Sequence, residues 1–332
     1  MSTPYQDLIE SADMNALLRA VDALSGRRDW DGLIDLAERC EDALERGKQL
    51  WPIAAHIDYR LALEAPGPIA ASVLDPDVGR FAPGPLTEVV ASTHAWDEVA
   101  DHIEDAQPAA YVAQERVLRG ESLEGEQRAH PEVLHMPERL LDWEPTYALA
   151  TYRPHHVEVA EPWEPKARMA DVDADPGDPV EDEELTDAML DLVQPWTSES
   201  NGAARAVVVE GPGPAAARAL TFDRLSVAPL TTEEAIQRMA WAAASGGAYG
   251  RRRGAALGRF LAFYVCSLVT GETWPVAPDA LRAGLDDVRW YLWDEGQTAQ
   301  EGWVLRLALE HADGWAAAIA ATDLSDEDEE GG

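Results

Sequence analysis

The residues with the most capacity for chemistry lie between Ser245 and Phe260, in the run SGGAYGRRRGAALGRF. This run holds four arginines and five glycines, in a chain with 62 Asp or Glu against 26 Lys or Arg and a formal charge of −36. Its pattern predicts a helix over about 251–270, with Arg251, Arg252 and Arg253 in the first turn. That end of a helix already carries partial positive charge, so each added cation costs roughly 0.3–1 kcal/mol unless something negative compensates. Arg252 and Arg259 are seven residues apart and would share a helix face as a clamp. Gly250 and the glycine-rich turn would turn backbone N–H groups toward the same anion. The chemistry expected is capture of a phosphate, a carboxylate or an acidic peptide by Arg251, Arg252, Arg253, Arg259 and Gly250. The competing expectation is that these arginines pair with the chain's own carboxylates. The Lys-Ser/Thr ending of a P-loop is absent.

A second candidate is the segment Gln194 to Gly202, QPWTSESNG. Thr197, Ser198, Ser200 and Asn201 bring donors and acceptors beside Trp196. Glu199 becomes a candidate catalytic acid or base if a cleft raises its pKa. The same composition also makes an ordinary turn. His94, Glu98 and His102, spaced by four, would share one helical face as a metal edge. That face lies opposite the apolar stripe of Trp96, Val99, Ala100 and Ile103 and would point to water. His155 and His156 fall in a turn with no cysteine or clear carboxylate set nearby. GPGPAA after AVVVE lacks the last glycine of a dinucleotide turn, with Ala216 in its place, and Pro212 and Pro214 remove N–H groups such a loop needs. No G-x-S-x-G elbow and no S-x-x-K motif occur. Cys40 stands among acids, which raise a thiol's pKa, and Cys266 sits in an apolar run. No metal and no cofactor are expected.

These candidates need elements to hold them. Trp30, Leu33, Ile34, Leu36 and Ala37 recur at helical spacing, and Gly47 is a stop. A helix follows from Leu50 to Glu64, and a further pair lies between Pro85 and Gly120. Trp-Glu-Pro occurs at Trp143 and Trp163. Between them an alternating stretch predicts a hairpin turning near Pro154 and His155. Later come strands at Ala206–Glu210, Arg224–Leu230, Arg289–Asp294, Trp303–Glu310 and Trp315–Thr322, with a short helix at Ala215–Leu220. Thr231 and Glu234 form a capping-box start for a helix to Ser245. Ala312-Asp313-Gly314 is a hairpin turn, and the strand face of Arg306 and Glu310 is half polar. The fold class expected is α+β or α/β: stacked helix pairs, then a smaller mixed α/β domain ending in a β-hairpin. The boundaries expected are a helical domain over 1–142, a hairpin and acidic linker over 143–195, an α/β domain over 196–323 and a disordered acidic tail over 324–332.

Composition narrows the function. Residues 171–191 carry ten acids and no base, and Asp323 to Glu330 carries six more acids. Such segments stay solvated because like charges repel. The acidity argues against general nucleic-acid binding, since phosphate would be repelled. No apolar run reaches membrane-spanning length. Two cysteines make no disulfide scaffold. The segments PWTSESNG, SGGAYGRRRGAALGRF and RWYLWD…GWVLRLALEHADGWAAAIAATD resemble a family of uncharacterised actinobacterial proteins. That resemblance implies a cytoplasmic bacterial protein and brings no activity or catalytic residue with it. The expected function is a cytoplasmic interaction protein that binds an anionic group or an acidic partner through the arginine and glycine run. The alternative is an enzyme acting on a phosphorylated or carboxylated small molecule. The partners considered are a protein or an anionic small molecule, without nucleic acid or membrane.

Overall fold

The computed structural model describes residues 5–74, 82–159, 166–296 and 302–323. Trp163 and the expected tail over 324–332 lie outside the described residues. The chain divides into one unit of Met1–Leu134 with Ala150–Glu158, and a second of His135–Leu149 with Val159–Gly332. The C-terminal unit spans more of the chain than the helical one, the reverse of the size order expected.

The first unit is helical: α1 (Gln6–Ser11), α2 (Met14–Gly26), α3 (Trp30–Glu45), α4 (Trp51–Glu64), α5 (Gly67–Ser72), α6 (Leu86–Thr93), α7 (Trp96–Val99), α8 (Ala106–Leu118) and α9 (Pro131–Leu134). Local signals set their ends. The Asp13 side chain accepts the Ala16 N–H at 3.0 Å and caps α2. Gly47, at φ +77°, follows the end of α3. Helix α4 buries residues all round, among them Ile53, Ile57, Tyr59 and Leu61, and it packs on α2, α3 and α6. The unit is therefore gathered around α4 rather than built as a plain stack of pairs. Arg60 on α4 is buried, and its guanidinium is met by Asp22 at 2.6 Å and Glu64 at 3.0 Å. Strands β1 (Ala150–Arg153) and β2 (His156–Val159) form the hairpin read from the sequence, with Pro154 and His155 between them. Tyr152 fastens it by donating to buried Glu88 at 2.7 Å, and Tyr59 donates to the Arg153 carbonyl.

The second unit is built on one seven-stranded sheet. Its strands are β3 (Ala170–Asp171), β4 (Pro179–Val180), β5 (Ala203–Glu210), β6 (Ser226–Leu230), β7 (Val288–Asp294), β8 (Trp303–His311) and β9 (Trp315–Asp323), in the order β3-β6-β7-β8-β9-β5-β4. Every pairing is antiparallel, so of the two classes expected, α+β is the one formed. Short β3 and β4 lie in the acid-rich stretch expected to be linker, and they close the two edges of the sheet. Two-residue strands flanked by carboxylates leave little edge for another chain to pair with.

The helices are α10 (Glu183–Asp191), α11 (Gln194–Ser198), α12 (Gly213–Leu220), α13 (Thr232–Ala244), α14 (Ala255–Val269) and α15 (Pro278–Leu285). The capping box forms as read: Thr231 Oγ1 accepts the Glu234 N–H at 3.2 Å, and Glu234 accepts the Thr231 N–H at 2.8 Å. Helix α12 packs on the face of Val209, Trp293, Ala308, Ala316 and Ala318 through its own Ala216, Ala217 and Leu220. Alanine on both sides lets the helix approach closely, and a Cβ on Gly213 would come within 2.6 Å of the Tyr291 ring. The half-polar face of β8 is the face beneath α12. Arg306 there is buried, with Asp294 at 2.6 Å and Glu295 as its second partner. No described helix is long and apolar enough to cross a membrane.

One group in the helical unit sets a pH dependence. Asp58 on α4 is half-buried with no ion pair or hydrogen bond among the described residues, and burial, aided by Glu41, raises its pKa from 3.8 to about 7. Because the folded value is raised, its contribution to stability is full below about 3.8 and is lost as pH climbs through about 7. Asp58→Asn should therefore stabilise the protein by roughly 1–2 kcal/mol at about pH 8, discounting for partial exposure. The gain should vanish near pH 4, and calorimetric melting at several pH values checks it.

Candidate functional site

The arginine run begins where α13 ends. The Ser245 N–H bonds back to the Ala242 carbonyl at 3.1 Å, and the chain then folds over the helix end. The N–H groups of Arg253 and Gly254 donate to the Ala244 carbonyl at 2.8 Å and 3.2 Å. Gly254 adopts φ +94°, which side-chain-bearing residues rarely reach, and α14 starts only at Ala255. Arg251, Arg252 and Arg253 therefore precede the helix instead of occupying its first turn. The backbone at Arg253 lies on the C-terminal end of α13, where the helix dipole favours positive charge. That end of α13 offsets the repulsion that Arg253 meets from the start of α14.

Each arginine has a definite place. Arg259 is fully buried. Its Nε and Nη2 grip Glu144 at 2.8 Å and 2.6 Å, and its remaining N–H groups reach the carbonyls of Pro137 and Arg139 at 3.0 Å and 3.1 Å. The Phe263 ring lies 5.4 Å away, and Tyr147 donates to the same Glu144 at 2.6 Å. Burial works against the charged guanidinium, yet the Glu144 bridge prevails and holds its pKa above the usual value. The expected clamp of Arg252 with Arg259 is thus not formed, because Arg259 points into the core. Arg251 donates its N–H to Glu199 at 3.0 Å, and its Nε lies 3.6 Å from the same oxygen. Arg253 donates to the Asp191 carbonyl at 2.8 Å, and Arg252 is half-buried. Glu199 serves as the acceptor for Arg251. Gly250 is packed tightly, since a Cβ there would come within 2.3 Å of the Gly246 carbonyl.

The three segments that carry the sequence resemblance are fastened together. Asp323 is buried at the end of β9, where it accepts the Ala248 N–H at 2.6 Å and the Ser200 hydroxyl at 2.9 Å. Ser200 in turn accepts the Tyr249 N–H at 3.2 Å, and the Trp196 indole donates to Ser245 at 2.7 Å. Asp323 was grouped by sequence with the acidic tail, but it is the pin between these segments. Its one prior signal was the β-pattern running up to Thr322.

Other motifs resolve in the same way. His94 ends α6 instead of sharing a helix with His102. It is buried, with ring nitrogens 2.8 Å from the Ala65 carbonyl and 3.1 Å from that of Val90. Among the described residues no group of three or more His, Cys, Asp or Glu is arranged for a metal ion. The start of α12, after the GPGP turn, is capped from within: Glu310 accepts the Gly213 N–H at 3.1 Å. Burial, with Glu41, pushes the Cys40 thiol up to about 11, and burial alone pushes Cys266 to about 12, so both stay protonated at neutral pH.

Clefts open among the described residues of both units. One, of about 560 Å³ in the second unit, is lined by Pro212, Asp286, Asp287, Arg289, Glu310 and His311, among others. Arg289 is tied to Glu310 at 3.0 Å, whereas the Asp287 carboxylate has no partner among the described residues. The second cleft, of about 370 Å³ in the helical unit, is lined by Asp101, His102, Glu104 and Asp105 together with apolar residues.

A family model described as a family of unknown function (DUF6183) matches residues 15–325. No curated protein and no solved structure matches the chain.

The two kinds of arginine should separate in denaturant melts. Arg259→Ala strands the Glu144 carboxylate in the core and should cost about 3–5 kcal/mol. Arg251→Ala removes an exposed contact and should cost less than about 1 kcal/mol.

Proposed function

We propose a function for this chain, which belongs to the family of unknown function DUF6183, from where its charges face: it is an interaction protein that holds a basic partner. The observation that carries the reading is the lining of the cleft beside α12, where Asp286, Asp287 and Glu310 outnumber the single arginine, Arg289. The distribution of the other charges supports it. Arg60, Arg259 and Arg306 are buried against the protein's own acids. These three cations are matched by Asp22, Glu64, Glu144, Asp294 and Glu295, so the remaining acids still far outnumber the remaining bases. A surface of that sign steers a positive partner into contact and repels a negative one. Of the two other readings of the sequence, anion capture uses Arg251, Arg252, Arg253, Arg259 and Gly250, and catalysis on a phosphorylated or carboxylated molecule adds Glu199. Arg259 is enclosed and Glu199 holds Arg251. The reading sets the protein in the cytoplasm, in keeping with two unpaired, buried cysteines.

The test is fluorescence anisotropy with dye-labelled basic and acidic oligopeptides of equal length. The basic peptide should bind, with affinity falling at least about 10-fold between roughly 50 and 300 mM salt. Asp286→Asn combined with Asp287→Asn should weaken it about 3-fold or more. Binding of oligoglutamate or inorganic phosphate in place of the basic peptide would overturn the reading.

A further inference from the structure

Helix α14 turns a row of rings outward. Phe260 and Tyr264, one helical turn apart, are nearly coplanar in orientation, with ring centroids 6.3 Å apart and 8° between planes. Trp274, in the connection from α14 to α15, stands almost perpendicular to both. It lies 5.5 Å from Phe260 at 90° and 6.3 Å from Tyr264 at 82°. All three side chains are only half-buried. Trp196, Trp290, Trp293 and Phe263 of the same unit are, by contrast, fully enclosed. Two roughly parallel rings and one perpendicular ring make a shallow surface with two orientations of π-face.

The charge around these rings has one dominant sign. Helix α10 packs on α14 and carries Asp182, Glu183, Glu184, Asp187 and Asp191 with no basic residue. The Tyr264 hydroxyl donates to Glu184 at 3.3 Å, which places that carboxylate at the edge of the rings. Glu272 precedes Trp274 by two residues. Arg253 reaches the other, C-terminal end of α10, where it donates to the Asp191 carbonyl. Aromatic faces beside carboxylates suit a planar cation: the rings attract it through their quadrupoles and the acids take its N–H groups. A guanidinium fits both demands better than an ammonium, which is compact, strongly hydrated and unable to stack.

We infer that Phe260, Tyr264 and Trp274, with Glu184 beside them, form a docking surface for an arginine-bearing basic segment of a partner protein. The inference rests on the reading of a basic partner and goes further, by fixing the residue type that is recognised and a contact surface in addition to the cleft beside α12. The carboxylates provide attraction and salt dependence, and the rings provide the preference for arginine over lysine.

The experiment compares dye-labelled oligoarginine and oligolysine of equal length and charge by anisotropy, on the full chain and its variants. The parent should bind the arginine peptide about 3-fold or more tightly than the lysine peptide. Trp274→Ala should bring the two to parity, with circular dichroism and melting temperature close to the parent's. Glu184→Gln should weaken both peptides about 2- to 3-fold. If Trp274→Ala does not fold, Tyr264→Leu, which keeps bulk but removes the π-face, should abolish the preference in its place. Equal binding of both peptides by the parent, or a preference that survives in the ring variants, would overturn this inference and leave the broader reading standing. No binding of either peptide would overturn both.

Discussion

The second unit depends on one buried ion pair, that of Arg259 with Glu144. A guanidinium without solvent carries a desolvation penalty of several kcal/mol, and it survives only if every N–H group finds an acceptor. Here the acceptors come from the strap 135–149, which has no regular structure of its own: two oxygens of Glu144 and the carbonyls of Pro137 and Arg139. The pair therefore sets where a loop of irregular backbone must run. Neighbouring contacts agree with that path. Trp143 stacks on Phe263 at 5.5 Å, and Gln237 of α13 donates to the Thr146 carbonyl at 2.7 Å. Gly258, one residue before Arg259, lets α14 press against α13, since a Cβ there would meet the Ala240 carbonyl at 2.3 Å. The glycines and arginines of this run are thus explained first by packing.

The same arrangement recurs across both units and leads to the charge argument. Arg60 in α4 and Arg306 in β8 are buried between pairs of acids, as Arg259 is buried against Glu144. Each of these cations is matched by at least one carboxylate of the chain itself. At the sheet edges, the short strands β3 and β4 among carboxylates resist pairing with another chain. Arg60, Arg259 and Arg306 thus act as internal braces, while arginines such as Arg224, Arg251 and Arg289 stay exposed.

Some parts of this structure were legible in the sequence because their causes are local. The turn at Pro154 and His155, the capping box of Thr231 and Glu234, and the β8–β9 turn at Ala312-Asp313-Gly314 each rest on residues within a few positions of one another. The alternation of β8 likewise placed Leu305, Leu307 and Leu309 on one face. The candidate site was less legible. Arg251, Arg252 and Arg253 were assigned to a helix start because glycine and arginine do not reveal where a helix begins, whereas Gly254 at φ +94° does. His94 was placed facing water because the break between α6 and α7 was not visible in the pattern.

By itself, then, the sequence settled the mixed helical and stranded class, most individual elements and the excess of negative charge, since these follow from periodicity, turn chemistry and counting. Tertiary structure alone decided which charges are inside. Glu144 lies 115 residues from Arg259, and Asp323 lies 123 from Ser200, so nothing local marks either pair. It also decided the edges of the sheet, where Ala170–Asp171 and Pro179–Val180 are too short to show an alternation and become strands only by bonding to β6 and β5. The physical reason is common to all of these: a buried charge or an edge strand is specified by a partner that the fold brings from far along the chain.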